Sequence, residues 1–218
     1  MFQFRVVSVS PAESSAAPAR LASSQLRRIR RVVDAAIALA ERGGFDAVKL
    51  RDVAEASGVA LGTLYKYFRS KEEILLFAVN EDMERLEAVM GEKPPRGDTP
   101  TERVTEFFAR ATRGFVRRPA YAQAVLRGVA SSPSSTAVQQ AGFHLRLSRM
   151  VVAALRGEAA LLRLPLAEPV GSERERRVAL VLEHVWFACL LGWVSGLHPL
   201  KTVTERMRDA VSLLLEQP

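Results

Sequence analysis

Apolar residues recur at helical spacing along most of the chain, and no segment sustains the period-two alternation of a half-buried strand. From about Leu21, the residues Leu26, Ile29, Val32, Val33, Ala36, Ile37 and Ala40 fall on one face, and Gly43-Gly44 closes that run. Leu50, Val53, Ala54 and Ala56 then give a short helix one apolar face. Ser57-Gly58 breaks it, because glycine enters the φ > 0 backbone of a tight turn without steric cost. A second short helix is expected from about Ala60 to Tyr67. Ser70 and Glu73 have capping-box spacing and open a helix through Ile74, Leu75, Phe77, Ala78, Met83, Leu86 and Val89 to about Met90. Thr99, Pro100 and Glu102 supply a cap, a proline at the first helical position and a capping-box partner for a helix from Thr101 to about Arg117.

Pro119 starts another helix reaching Val129, and 131–135 reads as a turn. Val138 to Leu155 carries the next, followed by a partly apolar connection over Gly157–Gly171. Ser172–Gly196 is apolar on nearly every side from Val178 to Val194, and Leu200–Glu216 is a last amphipathic helix. The pattern predicts an all-α fold. It divides into a disordered Ser-, Ala- and Pro-rich arm over 1–20, a first unit over 21–91, a linker over 92–100 and a larger unit over 101–218.

Charge sharpens this division. The net charge is +7, and residues 20–71 hold eleven Lys and Arg against five Asp and Glu, while the rest of the chain is nearly balanced. The basic excess therefore sits on the two short helices and the helix before them, as expected for a surface facing phosphates. Arg27, Arg28, Arg30 and Arg31 crowd a helix start, where the dipole disfavours cations. That crowding suits a polyanion alongside, or else a merely solvated first turn.

Several classes of chemistry are disfavoured. The single Cys189 excludes an intramolecular disulfide and a four-cysteine zinc site, which fits a reducing cytoplasm. No close metal-ligand pair forms among His144, His184 and His198, so neither metal nor cofactor is expected. Glu183-His184 beside Cys189 suggests a nucleophile pair only on paper, since an apolar helix disfavours the thiolate. The N-terminal apolar run is too short for a signal sequence, and Val178–Val194 is shorter than a membrane span and contains Glu183 and His184. No membrane partner is expected.

Two short helices joined by a glycine turn, with a hydroxyl, two tyrosines and a lysine near one end, form a helix-turn-helix suited to the major groove, spanning about 49–68. Thr63 and Lys66 are placed for base edges; Lys71 and the hydroxyls of Tyr65 and Tyr67 are natural phosphate contacts. Tyr65 also suits core packing beneath the motif, and Leu64 and Phe68 read as core.

FDAVKLRDVAEASGVALGTLYKYFRSKEEIL (Phe45–Leu75) closely resembles the DNA-binding domain of TetR-type bacterial regulators. The resemblance implies about nine helices, a homodimer built on the last two, a ligand pocket in the C-terminal unit, and no catalysis. By position it implies that Arg51, Gly62, Thr63, Tyr65, Lys66, Tyr67 and Lys71 meet DNA, with Arg27 and Arg28 added by charge. Lys49 and Ala60 depart from it, standing where such proteins commonly carry small capping hydroxyls. EHVWFACLLGWVSG (Glu183–Gly196) is similar to regulators of sterol and lipid catabolism in actinobacteria, which implies a bulky acyl-CoA-type or steroid effector.

A helix apolar all round needs cover on every side, so a four-helix seam between two copies is expected through Val181, Val185, Leu190, Val203, Met207 and Val211. Phe107, Phe108, Phe115, Tyr121, Phe143, Met150, Trp186 and Trp193 are the expected cavity walls, and one of the tryptophans suits the seam instead. The function expected is a dimeric repressor released from a near-palindromic operator by an apolar ligand, in the cytoplasm at the nucleoid. The alternatives are an activator of the same kind and, more remotely, a helical apolar-ligand carrier or hydrolase.

Overall fold

The computed structural model describes residues 17–130, 137–166 and 168–216, and these contain nine α-helices and no strand. They are α1 (Ala17–Ala47), α2 (Leu50–Ser57), α3 (Leu61–Leu64), α4 (Lys71–Glu92), α5 (Pro100–Phe115), α6 (Pro119–Ala130), α7 (Ala137–Arg156), α8 (Glu173–Val194) and α9 (Leu200–Leu215), with a 3₁₀ turn at Ala159–Arg163. The expected arm lies outside the described residues up to 16, and its last residues, 17–20, are the first turn of α1. The expected turn over 131–135 also lies outside them. α1 loses helical geometry at Gly43 (φ −146°, ψ 18°) and Gly44 (φ 68°, ψ −161°), where the chain swings toward α2.

Two apolar cores form. The first, here called the head, gathers Val32, Val33, Ala36 and Ala40 of α1, Val53 of α2, Leu64, Phe68, and Ile74, Leu75 and Val79 of α4. The second, the body, gathers Phe107 and Phe108 of α5, Leu147, Met150 and Val151 of α7, Leu182 and Trp186 of α8, and Val203, Met207 and Val211 of α9. α4 belongs to both, since its Met83 and Met90 lie in the body core. The packing boundary thus crosses α4, well before the loop over 93–99.

α6 closes the joint from the other side. Tyr121, Ala124 and Val125 are buried in the head core although they follow the loop. The Tyr121 hydroxyl donates to Asp82 of α4 at 2.8 Å. Arg118 reaches Asp82 at 3.4 Å and Glu41 of α1 at 3.5 Å, with its guanidinium over the Tyr121 ring. Burial, and then Asp82, push the Tyr121 phenol well above its ordinary pKa, so it stays a donor.

Caps start the long helices. Thr99 with Glu102 and Ser172 with Glu175 are complete capping boxes. At α4 the box is displaced: Ser70 Oγ accepts from the Glu73 amide at 3.3 Å, but the Glu73 carboxylate accepts from Arg69 N–H at 2.7 Å. Inward-facing arginines tie off helix ends and buried acids. Arg103 donates to the carbonyls of Ala154 and Leu155 at the end of α7, and Arg110 to that of Lys93 after α4. Glu87, buried on α4, receives Arg146 at 2.5 Å and Arg149 at 2.6 Å from α7.

Candidate nucleic-acid interface and interior cavity

The head presents α2, the turn at Gly58–Ala60, and α3. Gly58 takes the left-handed conformation at φ 62°, and its N–H closes α2 on the carbonyls of Ala54 and Glu55. Neither Lys49 before α2 nor Ala60 before α3 makes a side-chain cap bond, so backbone bonds alone hold both helix starts. The second helix is shorter than the expected Ala60–Tyr67. Regular α-helix ends at Leu64, and 65–67 continue as a turn with Lys66 N–H on Thr63 O and Tyr67 N–H on Leu64 O. A segment that contains Gly62 and two tyrosines, Tyr65 and Tyr67, has weak intrinsic helical support. Tertiary anchoring replaces it: Leu64 is fully buried, and buried Phe68 meets Phe77 edge-on at 5.7 Å.

The residues expected at DNA divide by environment. Arg27, Arg28, Arg51, Gly62, Tyr65 and Lys66 are exposed, and Thr63 and Tyr67 are half-buried. A Cβ on Gly62 would meet nothing within 4 Å, so the surface is open there. Arg31 joins the group, because its Nη1 lies 3.7 Å from where a Cβ on Gly58 would stand. Among the described residues no acidic group pairs with Arg27, Arg28, Arg31, Arg51 or Lys66, whereas Arg30 is held by Glu81 at 2.7 Å. Lys71 departs from the expectation. Its Nζ donates to the Phe45 carbonyl at 3.0 Å and lies 3.7 Å from that ring's centroid, so it locks the loop after α1 instead of standing free.

A cavity of about 290 Å³ opens among α4, α5, α6, α7 and α8, at the lower end of the range for small-molecule sites. Three of the expected wall residues, Phe115, Phe143 and Trp186, line it. Phe107 and Met150 line a second, smaller cavity of about 100 Å³ between α5 and α7, Phe108 fills the body core, Tyr121 belongs to the head core and Trp193 packs partly buried against the body. These large side chains point to helix contacts because the helices meet there; size alone does not separate a wall from a filler. The walls missed from the sequence include Leu76, Val79 and Met83 of α4, which carry no signal distinguishing cavity from core.

Its polar feature was also missed. His144 of α7 pairs through Nδ1 with Glu183 Oε1 of α8, which is only 4% exposed. Glu183 stood out as an acid within an apolar helix, but its partner lies far off in the chain. The Glu183 hydrogen bond raises the His144 pKa above its ordinary value, against an opposing desolvation. Trp186 is fixed by its indole N–H donating to Thr112 Oγ1 at 2.9 Å.

The expected seam needs redrawing. Val203, Met207, Val211 and Leu190 are buried within the single chain, because α9 turns its apolar stripe onto α5 and α8. Val185 is partly buried against the same core. Val181 remains outward, 45% exposed beside Leu180, with Leu213 of α9 also outward. The length argument against a membrane also fails. Glu173–Val194 is a 22-residue helix, long and apolar enough by composition to cross one. A soluble core helix passes the same test, and this one buries Leu182, Trp186 and Cys189 on one side. Cys189 is a buried thiol whose pKa is raised by desolvation, a setting that disfavours the thiolate.

Residues 32–78 match the family described as bacterial regulatory proteins, tetR family, and residues 97–214 match the tetracyclin repressor-like C-terminal domain. The chain belongs to the TetR family. It is a DNA-binding transcriptional regulator and not an enzyme. This TetR-family chain is 33% identical over 193 residues to the HTH-type transcriptional repressor KstR of Rhodococcus jostii, covering 88% of this chain and 85% of that one. It is 30% identical over 192 residues to KstR of Mycobacterium tuberculosis, covering 88% and 82%. In fold it is similar to the crystal structure of a TetR transcriptional regulator from Rhodococcus sp. RHA1, with TM-score 0.76, 24% identity, and coverage of 89% and 98%. It also shares its fold with Thermus thermophilus FadR, a repressor solved with lauroyl-CoA, at TM-score 0.61 and 19% identity, covering 86% and 93%.

Proposed function

We propose that this TetR-family chain is a homodimeric repressor, active in the bacterial cytoplasm, that leaves a near-palindromic operator when a bulky apolar ligand fills its cavity. The observation that carries the reading is the path of α4. Leu76, Val79 and Met83 line the cavity, while Ile74 and Leu75 of the same helix support the head core beneath Leu64 and Phe68. A ligand that binds better when α4 is displaced therefore shifts the head out of its DNA-competent position, by no more than that difference in affinity. Contacts from Arg27, Arg28, Arg51, Tyr65 and Lys66 supply the electrostatic grip, and Thr63 and Lys66 face base edges. One such head is too small to be selective, so two act together. The exposed Leu180 and Val181 of α8 and the exposed Leu213 of α9 support pairing through these two helices.

The effector is steroid-like or carries an acyl chain, the latter in an acyl-CoA. The lauroyl-CoA of the FadR structure supports the acyl part of this range, and the likeness of Glu183–Gly196 to regulators of sterol and lipid catabolism supports the steroid part. The test is fluorescence anisotropy of the full chain on promoter DNA from its own locus, at low salt. Binding is expected at two copies per site, weakened by an apolar ligand. Absence of binding, or binding unchanged by Lys66→Ala, overturns the reading.

A further inference from the structure

The cavity's polar pair narrows what the ligand must carry. Leu76, Val79, Phe143 and Phe187 typify walls that offer a buried polar group nothing. Against them stand Glu183 and His144, joined through Oε1 and Nδ1. The second carboxylate oxygen, Glu183 Oε2, accepts no hydrogen bond among the described residues, and His144, with its side chain 51% exposed, stands on the solvent side of the pair. His184, also on the wall, has its Nδ1 turned to the Leu180 carbonyl at 2.7 Å. No Lys or Arg is among the described lining residues.

We infer that the ligand presents a neutral hydroxyl, which donates to Glu183 Oε2, and that the cavity disfavours an anionic head at this place. The inference rests on the apolar-ligand reading above and specifies the ligand's chemistry. A carboxylate with a vacant acceptor on a side chain only 6% exposed gains most from an O–H donor, because the bond is charge-assisted. A carbonyl oxygen can only accept, so it leaves Oε2 unmatched and can at best use His144. A carboxylate brought to Oε2 sets like charges together there, so it can use only His144 Nε2, which solvent also reaches. The expected order is therefore hydroxyl, then ketone, then carboxylate.

The full-length protein allows a direct test, since Trp186 lines the cavity and reports occupancy by fluorescence. Dodecanol is titrated against dodecanoic acid, and a hydroxysteroid against the corresponding ketosteroid, at neutral pH. Within each pair that binds, the hydroxyl compound is expected to bind about tenfold tighter or more. The tighter of the two alcohols tells whether the source is a chain or a ring. Glu183→Gln is expected to reduce the alcohol–acid preference to about threefold or less, through loss of the like charge. The wild-type ranking stands whether or not that variant folds. A ketone or carboxylate that binds as well as its alcohol overturns the inference and leaves the apolar-ligand reading standing. If no compound changes the fluorescence or the unfolding temperature, the apolar-ligand reading itself falls.

Discussion

The arginines of the head and those of the body share a chemistry and differ in what they touch. In the body, Arg103 and Arg110 hold helix-end carbonyls, Arg146 and Arg149 enclose Glu87, and Arg156 grips Glu175 through two bonds of 2.8 Å. On the head, Arg27, Arg28, Arg31, Arg51 and Lys66 face solvent without acidic partners among the described residues. Those body arginines are internal structure, whereas these head cations are left for a partner that brings its own negative charge. Exposed cations without an acidic partner among the described residues also occur in the body, at Arg117, Arg174 and Arg208, so the head is marked by such cations falling on and beside its two short helices, more than by their number.

The strongest way to break this contrast is to remove an internal partner. Glu87→Ala leaves buried Arg149 without its acid and Arg146 with only the exposed Glu84, at a cost of about 3–5 kcal/mol. Chemical denaturation should show that loss, with the DNA-contacting surface chemically untouched. The converse variants, Lys66→Ala and Arg51→Ala, should each weaken operator binding by about 1–3 kcal/mol. They should also flatten the salt dependence by about one counterion each. Stability should stay within about 0.5 kcal/mol of wild type, because these side chains hold nothing inside the protein.

Smaller changes sharpen the picture within the head. Ala60→Ser supplies the missing cap before α3 and should add about 1 kcal/mol, read as slower amide exchange through 63–64. Gly62→Ala enters open space in a helical conformation, so it should raise stability by about 0.5–1 kcal/mol. If DNA packs against Gly62, affinity falls at the same time; unchanged affinity would mean that the glycine serves no close approach. The smallest effect is a pH dependence in the body. Arg156 holds the Glu175 carboxyl down near about 2, against an ordinary value of 4.5. A depressed folded-state value means the contribution is present above about pH 4.5 and is lost as pH falls through 2. Acid titration of Glu175→Gln should lack that part of the loss, while neutral-pH stability changes little because the pair is solvent-screened.

Much of the architecture is legible in the sequence because helix period, glycine breaks and capping residues are local signals. The Gly43-Gly44 break, the start of α5 at Pro100 and the turn at Gly58 each follow from neighbours a few positions apart. The site is less legible because its determinants are distant. Nothing near Lys71 announces that Phe45 will engage its ammonium, and nothing near Glu183 names His144. The stripe Val203, Met207 and Val211 says that α9 buries one face, but cannot say whether the cover comes from α5 and α8 or from a second chain. Aromatic size misleads in the same way, since Phe108 in the core and Phe115 on the cavity wall differ in position and not in composition.

The length of α4 has a mechanical consequence. At 1.5 Å per residue, Met83 on the cavity wall stands about 18 Å from Lys71 at the helix's other end. A tilt of about 5° about Met83 moves that end by about 1.6 Å. In a twofold pair the two ends move in opposite senses, so their separation changes by about 3 Å, set against the 34 Å that separates successive major-groove faces. Gearing of this kind needs no unfolding of the head. It needs only that the distance between two rigid readers stop matching the pitch of the double helix.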